Sequence, residues 1–226
     1  LPAFVDAARL LNIRGCSITI PHKIDIIPLL DKTSENVREM GACNTLYRDG
    51  EKICGENTDV IGFTAPLRKR SLPPETRVLV LGAGGVSRAA IAGLRRLGLA
   101  NITLTNRRKE RAEALCNEFG LLCAPWEERG DVPADLIINT TPLGMTGAQE
   151  HETPYPRAFQ DNGIAYDLIY TPFQTRFLRD AAAAGWETVS GLDMFIGQGD
   201  AQFHLWTGHH LPEEAITAVT SALYGQ

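Results

Sequence analysis

Two side chains of opposite charge stand beside short apolar runs: Lys23, which leaves SITIPHK (residues 17–23), and Asp59, in ENTDVIGF (residues 56–63). A partly desolvated lysine beside a carboxylate can cycle as acid and base, its charge held by the partner and its proton shared with a substrate. Moving hydride to or from a carbon that bears oxygen requires such a group, because the oxygen must gain or lose a proton. For Lys23 alone the competing reading is a surface lysine whose stem lies along apolar residues while its head stays in water. His22 reads as a helix-start residue rather than as a base.

A reason to need a proton donor comes from VLVLGAGGVSRAA, which sets Gly82, Gly84 and Gly85 between an apolar strand and a helix. Glycines there permit a tight turn and let backbone amides approach a pyrophosphate at the helix N-terminus, as in dinucleotide-binding folds. The third fingerprint position is Ser87, not glycine, and an ordinary strand-to-helix turn is the alternative. The next strand ends NITLTNRRKER, placing Asn106, Arg107 and Arg108 where an NAD enzyme would carry an acid for the ribose hydroxyl. Arginines there suit a 2'-phosphate and favour NADP. A solvated basic loop is the bland alternative. NTTPLGM (139–145) follows a further strand, at the edge where such sheets hold ligands.

The elements that must position these residues read as follows. LPAFVDAARLL has helical spacing at Leu1, Phe4, Val5, Ala8 and Leu11. A strand is expected over residues 15–20, then a helical run PHKIDIIPLL interrupted by Pro28, a helix from about Thr33 to Met40, and a hairpin turning at Asp49-Gly50. A helix from near Asp59 stops before Pro73-Pro74, which marks a domain boundary near 70–76. From Arg77 strands and helices alternate: RVLVLG, 86–97, NITLTN, 109–119, 134–139, GIAYDLIY, 174–184 and ETVSG. That alternation predicts an α/β fold with a doubly wound parallel sheet. Two helices, about 191–207 and 212–224, close the chain, and the former is expected to return across the first domain. The division is a smaller α/β substrate domain over 1–72, with helices from about 193–226 packing back on it, and a Rossmann-like NADP-binding domain over 73–192.

The chain has 226 residues, 22 basic against 27 acidic, and a formal net charge of -5. Without a clustered basic face, nucleic acid is not expected as a partner. No apolar run is long enough to span a bilayer and no signal segment opens the sequence, so a cytoplasmic protein without membrane contact is expected. The five cysteines, Cys16, Cys43, Cys54, Cys116 and Cys123, have no zinc-clamp or redox spacing and read as reduced core or near-core residues. His209 and His210 read as exposed loop residues and no metal site is expected. Trp126 and Trp206 read as packing residues.

SITIPHK, GACNT, ENTDVIGF, LGAGGVSRAA, TNRRKER, NTTPLGM, YDLIYTPFQT and GLDMFIGQGDAQFHLWTG together resemble the shikimate dehydrogenases, in order and approximate spacing, over essentially the whole chain. The resemblance implies NADPH-dependent reversible reduction of 3-dehydroshikimate to shikimate, in aromatic amino-acid biosynthesis. It implies Lys23 as the acid/base lysine and Asp59 as its partner, with Thr19 and Asn44 bonding substrate hydroxyls and Tyr170 and Gln198 closing over the substrate. For NADP it implies Gly82, Ala83, Gly84, Gly85 and Val86, then Asn106, Arg107, Arg108, Lys109, Glu110 and Arg111, with Leu168 and Gly191 beside the nicotinamide. A polyol ring needs neutral donors and acceptors at fixed geometry, which Thr, Asn, Tyr and Gln supply.

Family members usually meet the substrate carboxylate with a serine pair near the N-terminus, and this sequence starts after that point. Ser17 stands where many relatives have Asn, Cys43 where Val is common, and Arg108 where Thr is common. Three other readings stay open: an NAD-using quinate/shikimate dehydrogenase, the dehydrogenase module of a fusion with a dehydroquinase, and a non-catalytic regulatory relative. Either a monomer or a homodimer is compatible with the sequence.

Overall fold

A tight hairpin organises the first part of the chain. Gly50 takes φ +59, and an antiparallel pair runs from it with Asp49 opposite Lys52 and Thr45 opposite Glu56. The computed structural model describes residues 1–19 and 21–224. Its first elements are α1 (Pro2–Leu10), β1 (Gly15–Ser17), β2 (Lys32–Thr33), α2 (Glu35–Met40), β3 (Thr45–Asp49), β4 (Lys52–Glu56) and α3 (Thr58–Arg68). The four strands form a sheet in the order β1-β3-β4-β2, antiparallel except for the β2/β4 pair.

The expected strand over 15–20 ends at Ser17. The Ile18 amide still donates to Asn44 O at 2.7 Å, but His22 N then bonds Thr19 O at 2.9 Å, turning the chain just after Pro21, which has no amide to extend a ladder. Ile20 lies outside the described residues. The expected helical run PHKIDIIPLL is instead a series of turns ending in a 3-10 segment, Ile27–Leu29. Pro21 and Pro28 bracket it, and bonds such as Leu29 N to Ile26 O at 3.0 Å are of the tighter i to i-3 kind. Helix α2 starts two residues later than expected because Ser34 caps it, its hydroxyl accepting from the Val37 amide at 3.2 Å. On α1 the buried residues are Val5 and Ala8, and Val5 joins Ile18, Ile26, Val37, Cys43, Leu46 and Ile53 in one core, while Leu11 is exposed.

From Val78 the chain alternates: β5 (Val78–Leu81), α4 (Gly85–Arg96), β6 (Ile102–Thr105), α5 (Lys109–Phe119), β7 (Leu122–Cys123), β8 (Leu136–Asn139), β9 (Ile164–Asp167), α6 (Arg176–Ala183) and β10 (Glu187–Val189). All six strands are parallel, in the order β10-β9-β8-β5-β6-β7. Every residue of β5 and β8 is buried, as expected of central strands covered on both faces. The core includes Leu79, Leu81, Ile137, Phe177 and Trp186, with Phe159 stacked edge-on to Trp186 at 5.0 Å. The short edge strand β7 has no periodicity to betray it, and it leaves Cys123 exposed rather than near the core. Helices α7 (Gly191–Thr207) and α8 (Glu213–Tyr224) complete the chain. No helix among the described residues is long and apolar enough to cross a membrane.

The chain divides into two compact units: Leu1–Phe63 with Ile196–Gln226, and Thr64–Phe195. Both joints fall inside helices, α3 and α7, rather than at Pro73-Pro74. Within the first unit, α7 is tied to the small sheet by Trp206, whose Nε1 donates to Leu46 O at 2.9 Å. Within the second, the carboxyl ends of β8 and β9 are joined by Asp167, which is fully buried. Its Oδ1 accepts from Asn139 Nδ2 at 2.9 Å and Ile169 N at 3.0 Å, and its Oδ2 accepts from Thr175 Oγ1, the cap of α6, at 2.6 Å. Burial outweighs these bonds and pushes the carboxyl up to about 7.

Two expectations follow. A Cβ on Gly15 would overlap the Trp206 indole, so Gly15→Ala should lower stability by about 1–3 kcal/mol, read as a lower melting temperature. Asp167 is protonated in the folded protein up to about 7 but, unfolded, only up to about 3.8. The folded state therefore holds the extra proton between those values, and stability contributed by this group is complete below 3.8 and lost as pH rises to about 7. Urea midpoints measured from pH 4 to pH 8 should show that slope flattened in Asp167→Asn; an unchanged slope would assign it to another group.

Candidate functional site

Lys23 and Asp59 meet in the first unit. Lys23 lies in the turn after β1, where its carbonyl accepts from Cys43 N at 2.8 Å, and Asp59 lies in the first turn of α3, where the helix dipole favours a negative charge. Lys23 Nζ donates to Asp59 Oδ2 at 2.8 Å, with side-chain exposures of 29% and 21%. The pair is thus reachable by solvent or substrate yet partly desolvated. The ion pair distinguishes Lys23 from a lysine whose head lies free at the surface.

Asn44 fixes the other oxygen. It is 3% exposed, and its Nδ2 donates to Asp59 Oδ1 at 2.8 Å and to Thr58 Oγ1 at 3.0 Å. Its Oδ1 accepts from Thr58 N at 2.8 Å and Thr45 Oγ1 at 2.7 Å. The carboxamide expected on a substrate hydroxyl is therefore fully engaged inside the protein. A substrate hydroxyl could bond this carboxamide only by displacing one of these partners, such as Thr58 Oγ1. Asn57 assists, its Oδ1 accepting from Asp59 N at 3.1 Å and its Nδ2 donating to Ala42 O at 2.9 Å. Sequence reading passed over Asn57 and Thr58, although both stand beside Asp59 in ENTD.

Thr19 is exposed in the segment leading to Lys23. Gln198 is half-buried on α7, its Oε1 accepting from Gln202 Nε2 at 3.1 Å. Tyr170 belongs to the second unit. It is 42% exposed after β9, and its ring stacks on Phe195 at 5.0 Å.

The second unit holds the glycine loop. Gly82 takes φ +115, and a Cβ there would stand 2.5 Å from Thr140 Oγ1, so the position requires glycine. Ser87 is fully buried in α4; its hydroxyl accepts from Gly84 N at 3.0 Å and lies 2.7 Å from Thr140 Oγ1, which itself donates to Leu81 O at 2.8 Å. Ser87 must then be the donor to Thr140. The Ala83 amide donates to Asn106 Oδ1 at 3.3 Å, and Asn106 Nδ2 donates to Arg108 O at 2.9 Å, so Asn106 fastens the loop to the end of β6. Gly85 and Val86 open α4, where their amides have no intrahelical acceptor, and added Cβ atoms at Gly84 and Gly85 would meet open space. A phosphate fits these observations.

Arg107, Arg108, Lys109, Glu110 and Arg111 are all exposed at the start of α5. Three cationic residues, Arg108, Lys109 and Arg111, crowd a helix N-terminus, where the dipole disfavours positive charge. Only Lys109 has an ion pair among the described residues of this run, to Glu113 at 3.5 Å. An added anion such as a 2'-phosphate would relieve that conflict. Gly191, which opens α7, packs so closely that a Cβ would come within 2.5 Å of Leu168 O, so these two residues stand together.

Three family models match the chain: shikimate dehydrogenase substrate binding domain over residues 1–46, shikimate / quinate 5-dehydrogenase over 67–128, and shikimate 5'-dehydrogenase C-terminal domain over 191–219. The chain is 55% identical to the shikimate dehydrogenase (NADP(+)) of Pelobacter propionicus, over 99% of this chain and 82% of that protein. Among solved structures, shikimate 5-dehydrogenase from Thermus thermophilus in complex with NADP(H) and shikimate superposes with a TM-score of 0.85 at 36% identity, covering 99% and 84% of the two chains. Quinate dehydrogenase from Corynebacterium glutamicum in complex with NAD gives 0.86 at 30%, covering 99% and 83%. With paired lysine and aspartate, a glycine loop and these relatives, the chain belongs to the shikimate dehydrogenase family.

Proposed function

We propose that the chain catalyses reversible NADPH-dependent reduction of 3-dehydroshikimate to shikimate, with Lys23 and Asp59 as its acid/base pair. The observation that carries this is the 2.8 Å contact of Lys23 Nζ with an Asp59 carboxylate whose second oxygen is held by buried Asn44. Bound NADPH supplies the hydride. As negative charge builds on the substrate's carbonyl oxygen, the Lys23 ammonium gives it a proton; in the reverse direction Lys23 takes the hydroxyl proton back. Asp59 keeps the ammonium oriented and compensates its charge, and Asn44 keeps Asp59 from rotating away. Thr19, Asn44, Tyr170 and Gln198 are the polar groups that select the ring hydroxyls.

For the cofactor, the Gly85 and Val86 amides suit the pyrophosphate, with Gly82, Ala83 and Gly84 shaping the turn. Arg107 and Arg108 suit the 2'-phosphate, and Asn106 holds their loop, with Lys109, Glu110 and Arg111 in the turn that follows. Leu168 and Gly191, which pack together, are the residues assigned to the nicotinamide. Of these residues, Thr19, Asn44, Asp59 and Gln198 belong to the first unit, and Tyr170 and the cofactor residues belong to the second. The reading includes a cytoplasmic location, which five free thiols suit. The basic run at α5 favours NADP over the NAD found with the quinate enzyme.

Two measurements test this. Lys23→Ala should lower turnover of shikimate by about a thousandfold, the scale of lost acid/base catalysis, while the dissociation constant for NADPH stays the same; a variant that kept most of its rate would remove Lys23 from the reaction. Arg107→Ala should lower kcat/KM with NADP by about tenfold or more and leave the value with NAD unchanged. Equal losses with both cofactors would show that Arg107 does not read the 2'-phosphate.

A further inference from the structure

Ser17, the last residue of β1, donates its hydroxyl to Gln202 Oε1 at 2.7 Å. Gln202, 6% exposed on α7, donates its Nε2 to Gln198 Oε1 at 3.1 Å, one helical turn earlier on the same face. The three side chains form a directed relay within the first unit: hydroxyl to amide oxygen, amide nitrogen to amide oxygen. Gln198 Oε1 already accepts from Gln202 and keeps one further lone pair, whereas Gln198 Nε2, with two hydrogens, has no hydrogen-bond partner among the described residues. A half-buried glutamine can still take several rotamers, and ordering it on binding has an entropic cost. A buried neighbour that grips its carbonyl removes much of that cost in advance and settles which end of the amide is offered.

We infer that Gln202, anchored by Ser17, is a positioning residue that presents the Gln198 amide to the substrate as a hydrogen-bond donor, so that this position takes an oxygen acceptor of the substrate. The inference rests on the reading of Gln198 as a substrate residue and adds the direction of its bond and the residues that set it. Gln202 acts only through Gln198 and touches neither the lysine nor the carboxylate, so its loss should weaken substrate binding without slowing proton transfer.

The test is steady-state kinetics of shikimate oxidation by the purified protein and its variants. Gln202→Met, of similar length and without polar atoms, should raise KM for shikimate by about tenfold, the worth of one well-placed hydrogen bond, with kcat and KM for NADP unchanged. Ser17→Ala should raise KM for shikimate by a smaller factor in the wild-type background and not at all in the Gln202→Met background, since members of one relay are not additive. Gln198→Glu keeps the acceptor that Gln202 needs but has no hydrogen to donate, and it should raise KM for shikimate by about tenfold or more. Parallel changes in KM for NADP or in kcat would mean a general packing role and overturn the inference. So would additive effects of Ser17→Ala and Gln202→Met, or a Gln198→Glu variant that binds shikimate as wild type does. Wild-type turnover of shikimate with an unaffected Gln202→Met variant sinks the relay alone; no wild-type turnover sinks the functional reading and the relay with it.

Discussion

The first unit depends on one side-chain amide that has nowhere else to go. Asn44 joins three elements through its backbone and carboxamide: its carbonyl accepts from Ile18 after β1, its amide donates to Glu56 O at the end of β4, and its side-chain oxygen takes the Thr58 amide at the start of α3. Burying an amide without partners costs a few kcal/mol, so each of these bonds constrains the others. Lys23 and Asp59 are set at 2.8 Å because the segments that carry them are tied to the same residue. A lysine on a free loop could make the same ion pair, but at an exposed site such a pair contributes little and would not stay in one geometry.

The second unit uses the same device at the carboxyl ends of its strands. Asn139, fully buried at the end of β8, accepts from Thr141 N and Thr141 Oγ1 and donates to Asp167, which in turn holds the Ile169 amide and the cap of α6. Loops at a sheet's edge are the natural place for ligands, yet they are also where backbone order is weakest. Short polar side chains buried beneath them supply that order without filling the space above. The carboxylate is the costlier choice, since burial raises its pKa to about 7. It accepts three hydrogen bonds that an apolar residue could not.

The parallel sheet was legible because its strands are apolar throughout and its helices are periodic, so both signals agree over many residues. β7, two residues long and exposed, offers no such agreement, and the turns over PHKIDIIPLL kept helical spacing while two prolines removed the amides a helix needs. At the candidate site the chemistry-bearing residues could be named from motifs, but their partners could not. Nothing in GACNT says that Asn44 faces inward and is consumed by Asp59, Thr58 and Thr45. Gln202 was equally silent, because a glutamine four residues after another on a helix is common, and only the position of Ser17 on a strand distant in sequence turns the pair into a relay.

Ser87 shows how a departure from a motif can satisfy its physical purpose. The glycine expected at that position allows the helix to pack closely on the strand. Serine is small enough to be fully buried there, and its hydroxyl accepts the Gly84 amide and donates to Thr140, so the polar atom is not stranded. The substitution has a further effect on the loop. With the Gly84 amide turned to Ser87 and the Ala83 amide turned to Asn106, two of the loop's donors are used internally. The free donors narrow to Gly85 and Val86, adjacent amides at the start of α4 where the dipole is positive. A loop with every amide free would be a broader and less ordered anion trap; here internal bonds fix the turn and leave two donors aligned with a helix axis.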